Sequence, residues 1–201
     1  MVRCGCLPRP RMLSMSQLDP IPSEATVRAL DLATKLVPPA IVNHMIRTYY
    51  FGLAINVWKR RVCLGDGGED GVYVEVPFDR EAFWVACLLH DVGISELLIP
   101  KRPSREDNAT AEGSGAINAD TFFEVRGARC AHKFVTKELD KPFSEERAWL
   151  AHEAIALHTS VADHNRGSLE QTELRGMAWA ELLFDGASTD LVASQLEKVS
   201  P

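Results

Sequence analysis

Seven consecutive residues, Phe83-Trp84-Val85-Ala86-Cys87-Leu88-Leu89, form an apolar run that ends in His90-Asp91, with Gly93 close behind. A segment that is apolar on every side has to be buried. His90 and Asp91 are therefore delivered to the edge of a core, where charge must be paired or bound to metal. A divalent cation held by both side chains is one reading. A satisfied His–Asp hydrogen bond at a helix end is the other.

The rest of the chain reads as helices around this run. Ser23 is suited to cap a helix in which Val27, Leu30, Leu32, Ala33 and Leu36 recur at roughly helical spacing. Pro38-Pro39 stops it and opens a second helix to about Arg60, with Ile41, Ile46, Tyr49, Tyr50, Leu53, Ala54 and Val57 on its apolar face. His44 and Arg47, three apart, share one side of that helix. Asp79 can cap the helix Arg80–His90. Phe122–Leu139 reads as helix, Ser144 starts another that reaches His158, and a last one runs through Met177, Ala180, Leu183 and Phe184 to Asp185. Between them lie the acidic loop Gly65–Gly71, a short strand over Val72–Val76 and a polar loop over Pro100–Ala119. No strands alternate with helices and there are no internal repeats, so the expected fold is all-α, a helical bundle. Met1–Pro22, with four prolines, is expected as a flexible tail, which leaves 23–201 as one domain.

Composition narrows the function classes. Of 201 residues, 46% are hydrophobic and 25% charged, enough for a sizeable core. The formal charge of −6 argues against a nucleic-acid surface and sits more easily with a neutral or cationic small molecule. The five cysteines form neither a disulfide framework nor a paired CxxC zinc motif, so reduced thiols and a cytoplasmic location are expected. The first residues lack the apolar stretch of a signal peptide, and no segment approaches the roughly 18 apolar residues of a membrane span. Gly65–Gly71 has neither GxGxxG after a strand nor a Gly-Lys-Ser/Thr ending, so no phosphate cradle is expected there.

His44, His90, Asp91, His158 and Asp185 each fall at or near the end of an apolar helical run, and separate helices contribute them. Bundles build metal sites from ligands converging in this way. The order His44, His90-Asp91, Asp185 resembles the HD superfamily of metal-dependent hydrolases. Asn43-His44-Met45-Ile46-Arg47-Thr48-Tyr49-Tyr50-Phe51-Gly52 and Leu88-Leu89-His90-Asp91-Val92-Gly93 resemble its cyanamide hydratase-like branch. Phe123-Glu124-Val125-Arg126-Gly127-Ala128 and Ala154-Ile155-Ala156-Leu157-His158-Thr159-Ser160 extend the match. The blocks span Asn43 to Ser160. Met45 departs from the small residue expected after the first His, and Gly65–Gly71 looks inserted.

The resemblance implies an HD-domain bundle with a divalent ion in its core, held by His44, His90, Asp91 and Asp185, with Asp190 competing for the last place. Zinc is the first choice, with Fe2+ or Mn2+ as alternatives. It implies addition of water to a small nitrile-type substrate such as cyanamide, giving urea, with Asp91 and His158 catalytic and His158 touching the substrate or supplying a proton. Thr159, Arg47 and Glu124 are the further candidates for substrate contact, although a helix–helix ion pair for Arg47 and a salt-bridge role for Glu124 stay open. His132 and His152 fall outside the matched ligand positions. Self-association into a homo-oligomer follows by the same analogy. The competing functions are an HD-type phosphohydrolase acting on nucleotides, for which Lys101, Arg102 and Arg105 could receive phosphate, and a relative with altered site chemistry.

Overall fold

The computed structural model describes residues 18–63, 78–99, 122–160 and 171–199. Six α-helices account for most of them: α1 (Glu24–Leu36), α2 (Pro39–Cys63), α3 (Arg80–Leu89), α4 (Phe123–Lys133), α5 (Glu145–Leu157) and α6 (Gln171–Val199). Single 3-10 turns, Val92–Ile94 and Glu96–Leu98, follow α3, and a π-helical turn, Phe134–Glu138, follows α4. No strand occurs among the described residues, so the all-α expectation agrees with the structure. The expected strand at Val72–Val76 and the loops at Gly65–Gly71 and Pro100–Ala119 lie outside the described residues.

Helix α3 is the axis of the bundle. Ala82 through Leu89 are all buried, and α1, α2 and α5 pack around them. Burying Phe83, Leu88 and Leu89 stabilises the fold by roughly 1.5–3 kcal/mol each. The helix begins where its sequence indicates. The Asp79 carboxylate accepts from the Ala82 backbone N–H at 3.0 Å, and Arg147 of α5 donates to Asp79 and Glu81 at 2.5–3.0 Å. At its side, the Trp84 indole N–H donates to the Thr26 carbonyl of α1 at 3.1 Å. These ties fix the axial position of α3 and hence of His90 at its C-terminus.

The other caps are local too. Ser23 and Thr26 form a capping box at the start of α1, and the Ser144 hydroxyl accepts from the Arg147 backbone N–H at 3.4 Å. The buried stripe of α1 is Ala25, Ala29 and Ala33, while Val27 is exposed. Small residues let α1 approach α3 closely; of the expected face, Ala33 is buried, Leu30, Leu32 and Leu36 pack partly buried against the core, and Val27 alone is exposed. Leu18, at the end of the expected tail, is buried in the core, and the Asp19 carbonyl accepts from Arg80.

One element runs past its expected end. Helix α6 does not stop at Asp185 but continues through Gly186, Ala187, Ser188 and Thr189 to Val199. Gly186 is a contact point here, and a helix stop does not form. A Cβ on Gly186 would run into the Thr48 carbonyl, and one on Gly52 would lie 2.9 Å from the Leu182 carbonyl. Helices α2 and α6 thus meet backbone to backbone through two glycines, in the most extensive helix contact of the fold. His44, Thr48 and Gly52 run down one face of α2 as Leu182, Gly186 and Asp190 run up the facing side of α6. No helix among the described residues is long and apolar enough to cross a membrane.

Candidate metal centre

His90 caps the C-terminus of α3, and its Nδ1 lies 2.7 Å from the Cys87 carbonyl oxygen. A carbonyl only accepts, so Nδ1 carries a proton and Nε2 is the nitrogen on the side of Asp91. His158 repeats the arrangement at the end of α5, with Nδ1 2.6 Å from the Ile155 carbonyl. His44, in the middle of α2, is oriented differently. Its Nδ1 lies 2.8 Å from Oδ2 of Asp190, across the α2–α6 contact, which leaves its Nε2 on the side of Asp91.

These nitrogens converge. His44 Nε2 lies 3.7 Å and His90 Nε2 3.3 Å from the same oxygen, Oδ2 of Asp91. The His44 and His90 rings are 5.4 Å apart and the His90 and His158 rings 5.0 Å. Ligand atoms of His44, His90 and Asp91 all lie within 4.8 Å of one another, the one such group of three among the described residues, and it could hold a metal ion. The donor chemistry fits a cation. Two imidazole nitrogens and a carboxylate oxygen on one spot are donors that divalent cations take, and buried charge of this kind has to be paired or bound to metal. Two ligands of one ion with bonds of about 2.1 Å lie roughly 3.0–3.6 Å apart, near the separations found. The carbonyl end of α3 adds a favourable partial negative charge.

Electrostatics agree. Burial alone would raise the Asp91 carboxyl, but His90, His44 and His158 outweigh it and hold it below the usual carboxylate range. Burial pushes the His158 imidazole down to about 4, with neighbouring His90 adding to the effect, so it is neutral at pH 7. With its Nδ1 proton given to Ile155, His158 offers an acceptor at Nε2.

The structure does not bring Asp185 into this group. It lies on α6 five residues before Asp190, and Gly186 and Asp190 face α2 instead. Asp190 is buried and grips the back of the site. It accepts from His44 and from both Nε and Nη2 of Arg47, the latter at 3.2 Å. Burial would raise its carboxyl, but Arg47 and His44 hold it low. Asp190 therefore holds the His44 ring from behind, a contact that the sequence reading, weighing Asp190 as a ligand, did not foresee. The matched spacing of His44, Thr48, Gly52 with Asp190, Gly186, Leu182 was the available signal. Arg47 makes the helix–helix ion pair that the sequence left open.

Thr159 and Glu124 do meet beside His158. The Thr159 hydroxyl donates to Glu124 Oε1 at 2.6 Å, and the Phe123 ring lies 6.0 Å from that of His158. Two glycines allow it. A Cβ on Gly93 would collide with the Phe123 carbonyl, and one on Gly127 would lie 3.0 Å from the His90 carbonyl. Arg126 clasps the contact by donating to the Gly93 carbonyl at 2.9 Å. The start of α4 is thereby pressed against the turn that carries Asp91. Lys101, Arg102 and Arg105 lie outside the described residues. The sequence matches no protein-family model and no curated protein.

Proposed function

We propose that this chain is a metal-dependent hydratase or hydrolase of the HD type, adding water to a small neutral substrate of the nitrile class. The convergence of His44 Nε2, His90 Nε2 and Asp91 Oδ2 on one partly buried spot carries this reading. A divalent ion bound there, zinc by choice of ligands, supplies a Lewis acid and lowers the pKa of water toward about 7. His44 and His90 hold their lone pairs inward because Asp190 and the Cys87 carbonyl take the other ring proton. His158, its ring 5.0 Å from that of His90 and its Nδ1 tied to the Ile155 carbonyl, would turn Nε2 toward a bound substrate. The Thr159–Glu124 pair offers a hydroxyl and a carboxylate to the polar atoms of a substrate.

The test is metal analysis of the purified protein, followed by urea release from cyanamide and phosphate release from a nucleotide panel. The expected result is bound divalent metal and urea formation, both lost in His90→Ala. Phosphate release without urea would replace this reading with a phosphohydrolase. Absence of both turnover and metal would leave a protein of this architecture with altered site chemistry.

A further inference from the structure

The three side chains of the central group are aimed in different ways. His44 is tied to Asp190 and His90 to the Cys87 carbonyl. The Asp91 carboxylate makes no capping bond to the turn that it opens, and the groups it faces are the His44 and His90 nitrogens, at 3.7 and 3.3 Å. An aspartate carboxylate stands one bond from Cβ, so it follows its backbone closely. The direction of Asp91 is therefore set by the chain on either side of it.

That chain is gripped from α4 on both sides of Asp91. Before it, the His90 carbonyl lies against Gly127, where a Cβ would stand 3.0 Å away. After it, the backbone closes a single 3-10 turn: the Ile94 N–H donates to the Asp91 carbonyl at 3.1 Å and the Ser95 N–H to the Val92 carbonyl at 3.0 Å. The next carbonyl, that of Gly93, accepts from Nε of Arg126 at 2.9 Å. Gly93 itself is pressed onto α4, since a Cβ there would lie 2.7 Å from the Gly127 nitrogen. Two adjacent residues of α4, Arg126 and Gly127, thus hold the carbonyls that flank the metal-binding aspartate. Hydrogen-bond geometry in a 3-10 turn is poorer than in an α-helix, so a short turn of this kind depends on what grips it from outside. A charged donor is the stronger kind of grip. The Arg126 side chain also lines an open cavity of about 430 Å³ beside Leu32, Leu36 and Leu98, on the side of α1.

We propose that Arg126 is a positioning residue for the central group. By holding the Gly93 carbonyl it fixes the direction of the Asp91 carboxylate, and so the coordination geometry of a bound ion, without touching the ion. This role rests on the reading of His44, His90 and Asp91 as a metal centre and on no particular reaction there. Arg126→Met and Arg126→Gln both remove the donor to Gly93, and Met keeps apolar length along Leu32, Leu36 and Leu98. Arg126→Lys keeps a cationic donor without the planar fork.

Full-length protein stripped with a chelator is titrated with Co2+, whose visible absorption bands report coordination geometry. The bands that Asp91→Asn removes or shifts belong to this centre. The expected result is that Arg126→Met and Arg126→Gln change those bands in position and intensity and raise the half-saturating Co2+ roughly tenfold, while Arg126→Lys recovers most of both. The thermal midpoint of the metal-free protein separates this from a support of the fold, which would lower the midpoint and leave the bands and the affinity as they are. Unchanged bands and affinity in the folded variants overturn the proposal and leave the metal centre standing. A wild-type protein without Co2+ bands sensitive to Asp91→Asn removes the centre and the proposal with it. Loss of helical circular dichroism in both the Met and the Gln variant makes Arg126 a support of the fold and also overturns the proposal.

Discussion

The two histidine clusters differ in what holds their rings. In the central cluster every imidazole gives its Nδ1 proton to an oxygen: the Cys87 carbonyl, the Ile155 carbonyl or the Asp190 carboxylate. Each Nε2 is thereby fixed inward before any ligand arrives. In the cluster of His132 and His152, where α4 meets α5, the rings lean on Trp149 and on each other, and Nδ1 of one and Nε2 of the other have no hydrogen-bond partner. Hydrogen-bonded backing makes a pre-organised centre, whereas aromatic packing alone leaves those two nitrogens buried and unpaired. Outer partners of this kind are worth about 10–100-fold in metal affinity, so of the two clusters only the central one has the backing a metal ligand uses.

The largest effect expected from breaking the comparison is at Asp91. Asp91→Asn removes the one anion of the central group, and metal content and turnover should fall by more than the roughly 100-fold expected for an outer partner. Inductively coupled plasma analysis beside the urea assay measures it. Gly186→Ala comes next. Its methyl group has to displace the Thr48 carbonyl, and a net loss of about 1–3 kcal/mol is expected even after the gain in helix propensity. A lower thermal midpoint with retained helicity would bear this out; an unchanged or higher midpoint would show that α2 and α6 slide apart at little cost.

Asp190→Asn keeps the shape of the backing but removes its charge. Zinc affinity at the centre should drop about 10–100-fold while the fold persists, read by competition with a chromophoric chelator. Unchanged affinity would mean that Asp190 serves only the Arg47 ion pair. The smallest effect is in the other cluster. His152 has a folded-state pKa of about 4, below the roughly 6.5 of the unfolded chain. Between those values the unfolded chain binds more protons, so the stability of chelator-treated protein rises with pH across the window and is lost as pH falls from about 6.5 toward 4. His152→Gln should flatten that slope by on the order of 1 kcal/mol, the partial exposure of the site keeping the figure small. Urea denaturation at pH 4.5 and 7 compares the two; equal slopes in both proteins would sink the assignment.

The sequence by itself determined what short-range physics controls. The run Phe83–Leu89 had to be buried, and it is. Asp79, Ser23 and Ser144 had to begin helices, and each accepts the backbone N–H that a cap should. His90 and His158 were legible because a histidine ending a helix bonds the carbonyl three residues back, a contact made within one turn. Only the tertiary structure decided which aspartate of α6 meets His44. Along the chain Asp185 was the first choice, at the end of an apolar helical run, and Asp190 the competitor. The choice is made where Gly52 and Gly186 let two backbones touch, setting the register of α6 on α2 across more than 130 residues of intervening chain. The pairing of His132 with His152 was hidden for the same reason. Their rings are brought together by the packing of α4 on α5, and no periodicity within either helix encodes the other.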